Sequence, residues 1–352
     1  MKIYQKFIAK LFFKNFIILF LALELFFTGI DLMQNFKHLP HSANLQIIYS
    51  SNIFLNFVNY TLPLSLIFAM LTTIFQLIRS NELVSLYSLG ASKKQVIMPI
   101  FLLSLLVTLF YISLNASTFV KANEFADSIK RNGEISDTSS QLFLKSNEDY
   151  VYFETLNPLK KEGTNLKIFR TKKTDITKII EAKKAIFKDN HWELQEVTIT
   201  QKPDINSKDA KLTYKHLPIM ITLQGFKPQI IDNLFKGKSK LTIQDSFSAI
   251  KLLKTQNLKT DKIRANLYIM IAFPLFAPLA ILALFYPLPA QRRASNIALL
   301  STLYIFGVLM IWGVLFTMAK ISFNGAILPE LGIIVPLFLL LLVSLYLIYK
   351  NR

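Results

Sequence analysis

Six apolar stretches constrain this chain more than any other feature. They cover roughly 11–33, 53–78, 95–119, 264–287, 296–319 and 328–349. Each is long enough to cross about 30 Å of hydrocarbon at about 1.5 Å per helical residue. Three precede a long polar block and three follow it. Pro63, Pro274, Pro278 and Pro336 interrupt the runs, which is tolerable because neighbouring helices can re-satisfy the freed carbonyls. Within the first stretch, the apolar run Phe16 to Ile30 follows Lys2, Lys6, Lys10 and Lys14 and lacks a small-residue cleavage site, so it is read as a retained span rather than a signal peptide. The domains expected are therefore 1–120 (spans one to three), 121–262 (a polar domain) and 263–352 (spans four to six).

Charge sets the expected orientation. The chain has a formal net charge of +18. Its polar block holds 26 basic and 18 acidic residues, and the remainder holds 14 basic residues against Glu24, Asp31, Glu82 and Glu330. Positive charge beside apolar spans points to membrane topology and anionic lipid, and away from nucleic acid. The N-terminus, Arg79 with Lys93 and Lys94, Arg292-Arg293, and the C-terminal Lys350 and Arg352 are the basic flanks. The alternating loops carry only Lys37 and Lys320. Both termini are expected in the cytoplasm and residues 121–262 outside it.

The outer block reads as β-rich. Tyr150–Phe153, Leu166–Arg170, Ile176–Ile180, Ala182–Lys188, Glu193–Thr200 and Ile219–Leu223 are short and rich in β-branched or aromatic residues, and Asp189-Asn190 suggests a hairpin turn. A sandwich, jelly roll or open barrel fits that spacing. Thr242-Ile243-Gln244-Asp245 reads as a capping box opening a helix with Ile243, Phe247, Ile250 and Leu253 on one face.

The stretch from Arg79 to Ser92 lies between spans two and three. As a helix it places Leu83, Leu86, Tyr87 and Leu89 on one apolar side, and Gly90 falls where a C-cap belongs. A short helix here lies at the membrane surface, where a soluble partner can push on it. Glu82 is either a solvated polar-face residue or an acid meeting a basic groove on that partner.

Other chemistry is thin. There is no cysteine, hence no disulfide or thiolate metal site. Gly237-Lys238-Ser239 looks like the end of a phosphate-binding loop, but Asp232 stands where the earlier glycine is required, so no nucleotide site is expected. His38, His41, His191 and His216 read as polar loop histidines rather than metal ligands. No cofactor and no catalytic residue is expected. Glu24 sits well inside the first span, where an ionised carboxylate costs roughly 2.5–3.5 kcal/mol or more. It is either a coupling or gate residue, or a neutral acid tied to a neighbouring helix. Lys37, at the end of the same span, either meets an anionic headgroup or is an ordinary interfacial lysine.

Taken together, these features resemble the LptF/LptG family of lipopolysaccharide-export permeases. The similarity rests on Leu62-Pro63-Leu64, on Asn81-Glu82-Leu83-Val84-Ser85-Leu86 and Leu89-Gly90-Ala91-Ser92, and on Phe143-Leu144, Tyr150–Phe153, Ala185-Ile186-Phe187 and Trp192-Glu193-Leu194. It implies six transmembrane helices with an extracytoplasmic all-β, jelly-roll-like domain. It also implies an inner-membrane permease subunit that does not hydrolyse ATP itself. The implied partners are a second LptF/LptG-type permease, a cytoplasmic LptB-like ATPase dimer, LptC/LptA-like periplasmic bridge proteins and lipopolysaccharide. Arg79, Asn81, Glu82, Leu83, Leu86, Gly90, Ala91 and Ser92 are the implied ATPase-coupling residues. The first and fifth spans would line a lateral gate, with Lys37 near a basic position that meets lipopolysaccharide phosphates; Glu24, Asp31, Trp312 and Lys320 on those spans are the further lipid or gate contacts expected from their own positions. Asn81 departs from a position where serine is common, Glu24 is not a family feature, and the Asp31-Leu32 end of span one leans to the G-type half. Two alternatives stand beside this: an extracytoplasmic sensor or scaffold, disfavoured by the short tail after span six, and a lipoprotein-release type permease, whose outer domain would follow the first span instead.

Overall fold

The second span is the axis of the helical part. In the computed structural model, which describes residues 2–132, 139–146, 149–158, 160–172, 175–203, 211–228, 241–255, 259–291 and 296–351, helix α2 (Ala43–Arg79) is 78% buried over its most apolar window. Polar side chains explain how it gathers its neighbours. Asn15 of α1 (Ile3–Asn35) donates to Thr73 Oγ1 at 2.9 Å, and Tyr111 of α4 (Lys93–Leu114) donates to Asn59 Oδ1. Pro63 sits inside α2 without ending it. Pro63, Leu62 and Leu64 are buried, and within a helix bundle the carbonyl that a proline leaves without its donor is tolerated.

The helices run past the apolar stretches that mark them. The first span is continuous from Ile3, and the fifth, α9, covers Ile297–Phe323. Polar flanks join the helix because its termini still close backbone bonds outside the hydrocarbon. Span four is not one helix: α7 (Asp261–Ile271) and α8 (Phe276–Phe285) are separated by a 3-10 turn at Phe273–Leu275, where Pro274 removes a donor. Span six opens with a π-helical turn, Glu330–Ile334, before α10 (Val335–Lys350). Gly332 is required there, because a Cβ would lie 1.8 Å from Ser322 Oγ of span five.

The short connecting helix α3 covers Glu82–Ser88. Asn81 enters it at φ +61, a conformation asparagine tolerates better than most residues. That explains an asparagine at this position. Gly90 leaves at φ +83, with its N–H to Tyr87 O at 3.0 Å and the Ala91 N–H to Leu86 O at 3.0 Å, a Schellman closure. Ser92 then caps α4, accepting from the Gln95 N–H at 3.3 Å. One expectation fails. Leu89 is 84% exposed and does not belong to the apolar side, because the chain has already left helical geometry at the cap; Leu83 is the buried member.

The second compact unit holds residues 39–46 and 124–260. It includes α5 (Ala122–Asn132) from residue 124 on, and a six-stranded antiparallel sheet in sequential order. The strands are β1 (Ser139–Ser146), β2 (Asp149–Asn157), β3 (Glu162–Lys172), β4 (Asp175–Lys188), β5 (His191–Gln201) and β6 (Thr213–Thr222). Ile176–Ile180 and Ala182–Lys188 are one strand, not two, and Asp189-Asn190 is a two-residue turn with φ +44 and +64.

Burial alternates along β2, β4 and β5 but changes phase once in each, at Glu154, Lys183 and Glu196. The register aligns these with Gln141, Asn165 and Pro218, and at this row the ladder is interrupted. Gln141, Asn165 and Glu196 have positive φ, so the row is a crease across the whole sheet. Pro218, which has no N–H to give, is harmless on it. Phe153 of β2 touches Trp192 of β5 with ring centroids 5.1 Å apart, although three strand spacings of about 4.8 Å separate those strands in a flat sheet. The two halves therefore fold over a shared apolar core. Gly163 lies against it, since a Cβ there would come 2.8 Å from the Phe153 ring. Trp192 Nε1 donates to Phe226 O at 2.6 Å, which satisfies its only polar atom.

Helix α6 (Ile243–Thr255) begins at the expected box. The Asp245 N–H donates to Thr242 Oγ1 at 3.1 Å, while the Asp245 carboxylate is held by Lys227 at 2.7 Å. Its buried face differs from the one the periodicity suggests. Ser246, Ala249 and Leu253 are buried, and Phe247 is 57% exposed.

Candidate functional site: the α3 turn and the cleft between spans one and five

A cleft of about 540 Å³ lies over α2, with Leu19 of α1 on one side and Ser301 and Ile305 of α9 on the other. Its floor is Phe68, Leu71, Thr72, Phe75, Gln76 and Arg79. The lining is chiefly apolar, and Phe75 meets Tyr304 edge-on at 6.2 Å. Arg79 matters most. It is the last residue of α2, it lines the cleft, and α3 starts three residues later. Arg79 is thus common to the cleft lining and to the connection leading into α3.

The residues singled out on and beside α3 divide by exposure. Arg79, Asn81, Glu82 and Gly90 are exposed, whereas Leu83 is buried and Leu86 and Ala91 are half-buried against the bundle core. Glu82 occupies the first turn of α3, where the helix dipole favours an acid. Tyr87 packs inward. Burial pushes its hydroxyl up to about 12, with Tyr286 adding to the shift. Tyr286 follows α8 and marks where span four ends beside the α3 turn.

The residues expected to contact lipid or line a gate do not converge on the cleft. Glu24 is fully buried between α1 and α2, where Thr61 donates to its Oε1, and its Oε2 has no partner among the described residues. Asp31 accepts from Tyr49 at 2.6 Å, a second tie between the same helices. Lys37 is exposed in the 3-10 turn Phe36–His38. On α9, Trp312 stacks on Phe316 at 5.2 Å, and Lys320 lies over the same ring at 5.3 Å, forming a stripe one turn apart. Tyr60 of α2 meets Phe316 edge-on at 5.7 Å. Trp312 and Lys320 are thereby brought together through Phe316, a residue sequence reasoning passed over because a phenylalanine in an apolar run carries no signal.

Two more features were invisible in the sequence. Arg264 of span four binds Glu330 of span six at 2.7 Å and Asp261 at 2.5 Å, and Tyr268 donates to the same Glu330 oxygen at 3.0 Å. In the β part, a cavity of about 940 Å³ lies along the crease, lined by Tyr152, Lys167, Glu181, Lys183, Glu196 and His216 among others. Two ion pairs lie along it. Lys167 binds Glu181 at 2.8 Å and Lys183 binds Glu196 at 2.6 Å, and these hydrogen bonds hold both ammonium groups above their ordinary range. Gly237-Lys238-Ser239 and Arg292-Arg293 lie outside the described residues.

Comparison with known families gives one finding. Residues 6–350 match the family described as "Lipopolysaccharide export system permease LptF/LptG". No curated protein matches the chain.

Proposed function

The chain belongs to the LptF/LptG family of lipopolysaccharide export permeases, and from that premise we propose that it is one half of a permease pair driven by a separate ATPase docked on α3. The observation that carries this reading is the place of Arg79, shared by the α3 turn and the cleft between α1 and α9. The basic flanks Lys2, Lys6, Lys10, Lys14, Arg79, Lys93 and Lys94 support a reading with α3 in the cytosol and the β part in the periplasm.

The physics asks for such a device. Drawing a lipid with several acyl chains out of a membrane exposes apolar surface at roughly 0.8 kcal/mol per CH₂ unless the route is sheltered. The cleft lies at the cytosolic end of α1, α2 and α9, so closing it draws α1 and α9 together and narrows the lateral entry that these two spans flank further out, which expels the chains. Lys37 and Lys320 are exposed near the outer ends of spans one and five, where their ammonium groups meet headgroup phosphates; Trp312 and Phe316 line the approach. Glu24 with Thr61, and Asp31 with Tyr49, act as ties that keep α1 on α2 while α9 moves. Acyl chains then cross the β part, whose halves must part along the crease because Phe153 and Trp192 close its interior. From there an LptC/LptA-like bridge receives them.

Exposed Glu82 is the contact to the ATPase, and Leu83 anchors the helix beneath it. Glu82→Lys is expected to abolish co-purification of the ATPase and lipopolysaccharide release while leaving the chain folded in the membrane. Undiminished association and release would sink the proposal.

A further inference from the structure

We propose that Lys93 is a positioning residue that ties the α3 turn to the ends of spans four and six, so that a push on α3 moves three spans together. The proposal rests on the reading of α3 as the docking element and says where the force goes next. Lys93 is the first residue of α4. A cation is disfavoured there, at the positive end of the helix dipole. Its side chain turns away instead. Nζ donates to Tyr286 O at 3.2 Å and to Asn351 Oδ1 at 3.2 Å.

Both acceptors belong to helix C-termini. Tyr286 is the C-cap of α8, and Asn351 is the C-cap of α10. Exposed carbonyls concentrate negative charge at such ends, so one ammonium with three donors serves two helices at once. Asn351 is itself held in place, its Nδ2 donating to Leu347 O at 2.9 Å. Across the same turn, Tyr4 of α1 donates to Gln95 Oε1 at 2.8 Å. Residues 92–95 therefore form a junction of spans one, three, four and six, directly after α3. Lys94, its neighbour in sequence, is exposed and supplies a control of equal charge.

The test uses the full chain reconstituted in nanodiscs with its partner permease and ATPase. Lys93→Met is expected to keep ATPase association and hydrolysis but to lower lipopolysaccharide released per ATP by roughly threefold or more. Lys93→Arg should recover most of that ratio, and Lys94→Met should not change it. Asn351→Leu removes one arm only and should give a smaller fall, which also decides the matter if Lys93→Met does not fold. Because the chain has no cysteine, spin labels at Ser88→Cys and Lys350→Cys report the junction directly; Lys93→Met should broaden their distance distribution. An unchanged ratio and an unchanged distribution would overturn the proposal. So would loss of ATPase association like that of Glu82→Lys, which would make Lys93 part of the docking surface. Failure of Glu82→Lys to affect association would instead sink the docking reading alone.

Discussion

Spans two and five are both long and apolar, yet the molecule treats them in opposite ways. Helix α2 is 78% buried and α9 is 11% buried over comparable windows. The difference lies in what each side chain meets. Asn59, Thr61 and Thr73 on α2 each find a partner on a neighbouring helix. Leu303, Phe306 and Met310 on α9 are left 59%, 67% and 74% exposed. One span is the scaffold of this chain, and the other presents its surface to lipid or to a second permease. Helix α1 resembles α9 in this respect at 17% buried. The two open helices flank the cleft, and the closed one is its floor.

The sharpest way to break that contrast is to shave each helix. Ile67→Ala, at a fully buried site of α2, should cost about 2–5 kcal/mol in reversible unfolding of the purified chain. Leu303→Ala on α9 should stay within about 0.5 kcal/mol. Equal losses would remove the distinction between scaffold and open surface.

Next in size is the tie between α1 and α2. Thr61→Val leaves Glu24 without the hydroxyl it accepts from, and about 1–3 kcal/mol should be lost. Glu24→Leu in the Thr61→Val background should return much of that loss, since both polar groups are then gone. A double-mutant cycle on unfolding midpoints measures the difference.

The contact between the scaffold and the open helix is weaker. Phe316→Ala cuts the stack on Trp312 and the edge contact with Tyr60, beyond the area it buries, by about 0.5–1.5 kcal/mol. The same variant should loosen α9 from α2, read as faster cysteine labelling at an introduced Ser301→Cys in the cleft.

The smallest effect is expected away from the membrane. Lys167→Met in the sheet should change stability by under about 1 kcal/mol, because the Lys167–Glu181 pair is solvent-screened. Its sign with pH is defined. Glu181 raises the folded-state affinity of Lys167 for its proton, so the contribution is full at neutral pH and is lost as strongly alkaline pH titrates the ammonium. One molar salt should shrink it at neutral pH.

Several local features were legible from residues close together in the chain. Asp189-Asn190 makes the hairpin turn, Thr242 and Asp245 make the helix cap, and Gly90 closes α3. Each needs only its own backbone conformation and a neighbour within a few residues. Leu89 and Phe247 show where that logic stops. Periodicity put both on apolar faces, but packing left both exposed. The crease through Gln141, Glu154, Asn165, Lys183, Glu196 and Pro218 has no sequence signature, since it exists only once six strands are in register.

The candidate site divides along the same line. The amino-acid sequence alone determined six membrane helices split three and three by a β-rich block, because backbone amides in hydrocarbon must be satisfied within a helix about twenty residues long. It also marked Arg79–Ser92 as the polar turn between two of them. Tertiary structure decided which helix became the scaffold, that Arg79 reaches the cleft, that Tyr60 of α2 meets Phe316 of α9, and that Lys93 finds Tyr286 and Asn351. Those pairings lie tens to hundreds of residues apart or depend on a third helix. Hydrophobic pattern is a property of each segment by itself, and it carries no record of which segment will cover which.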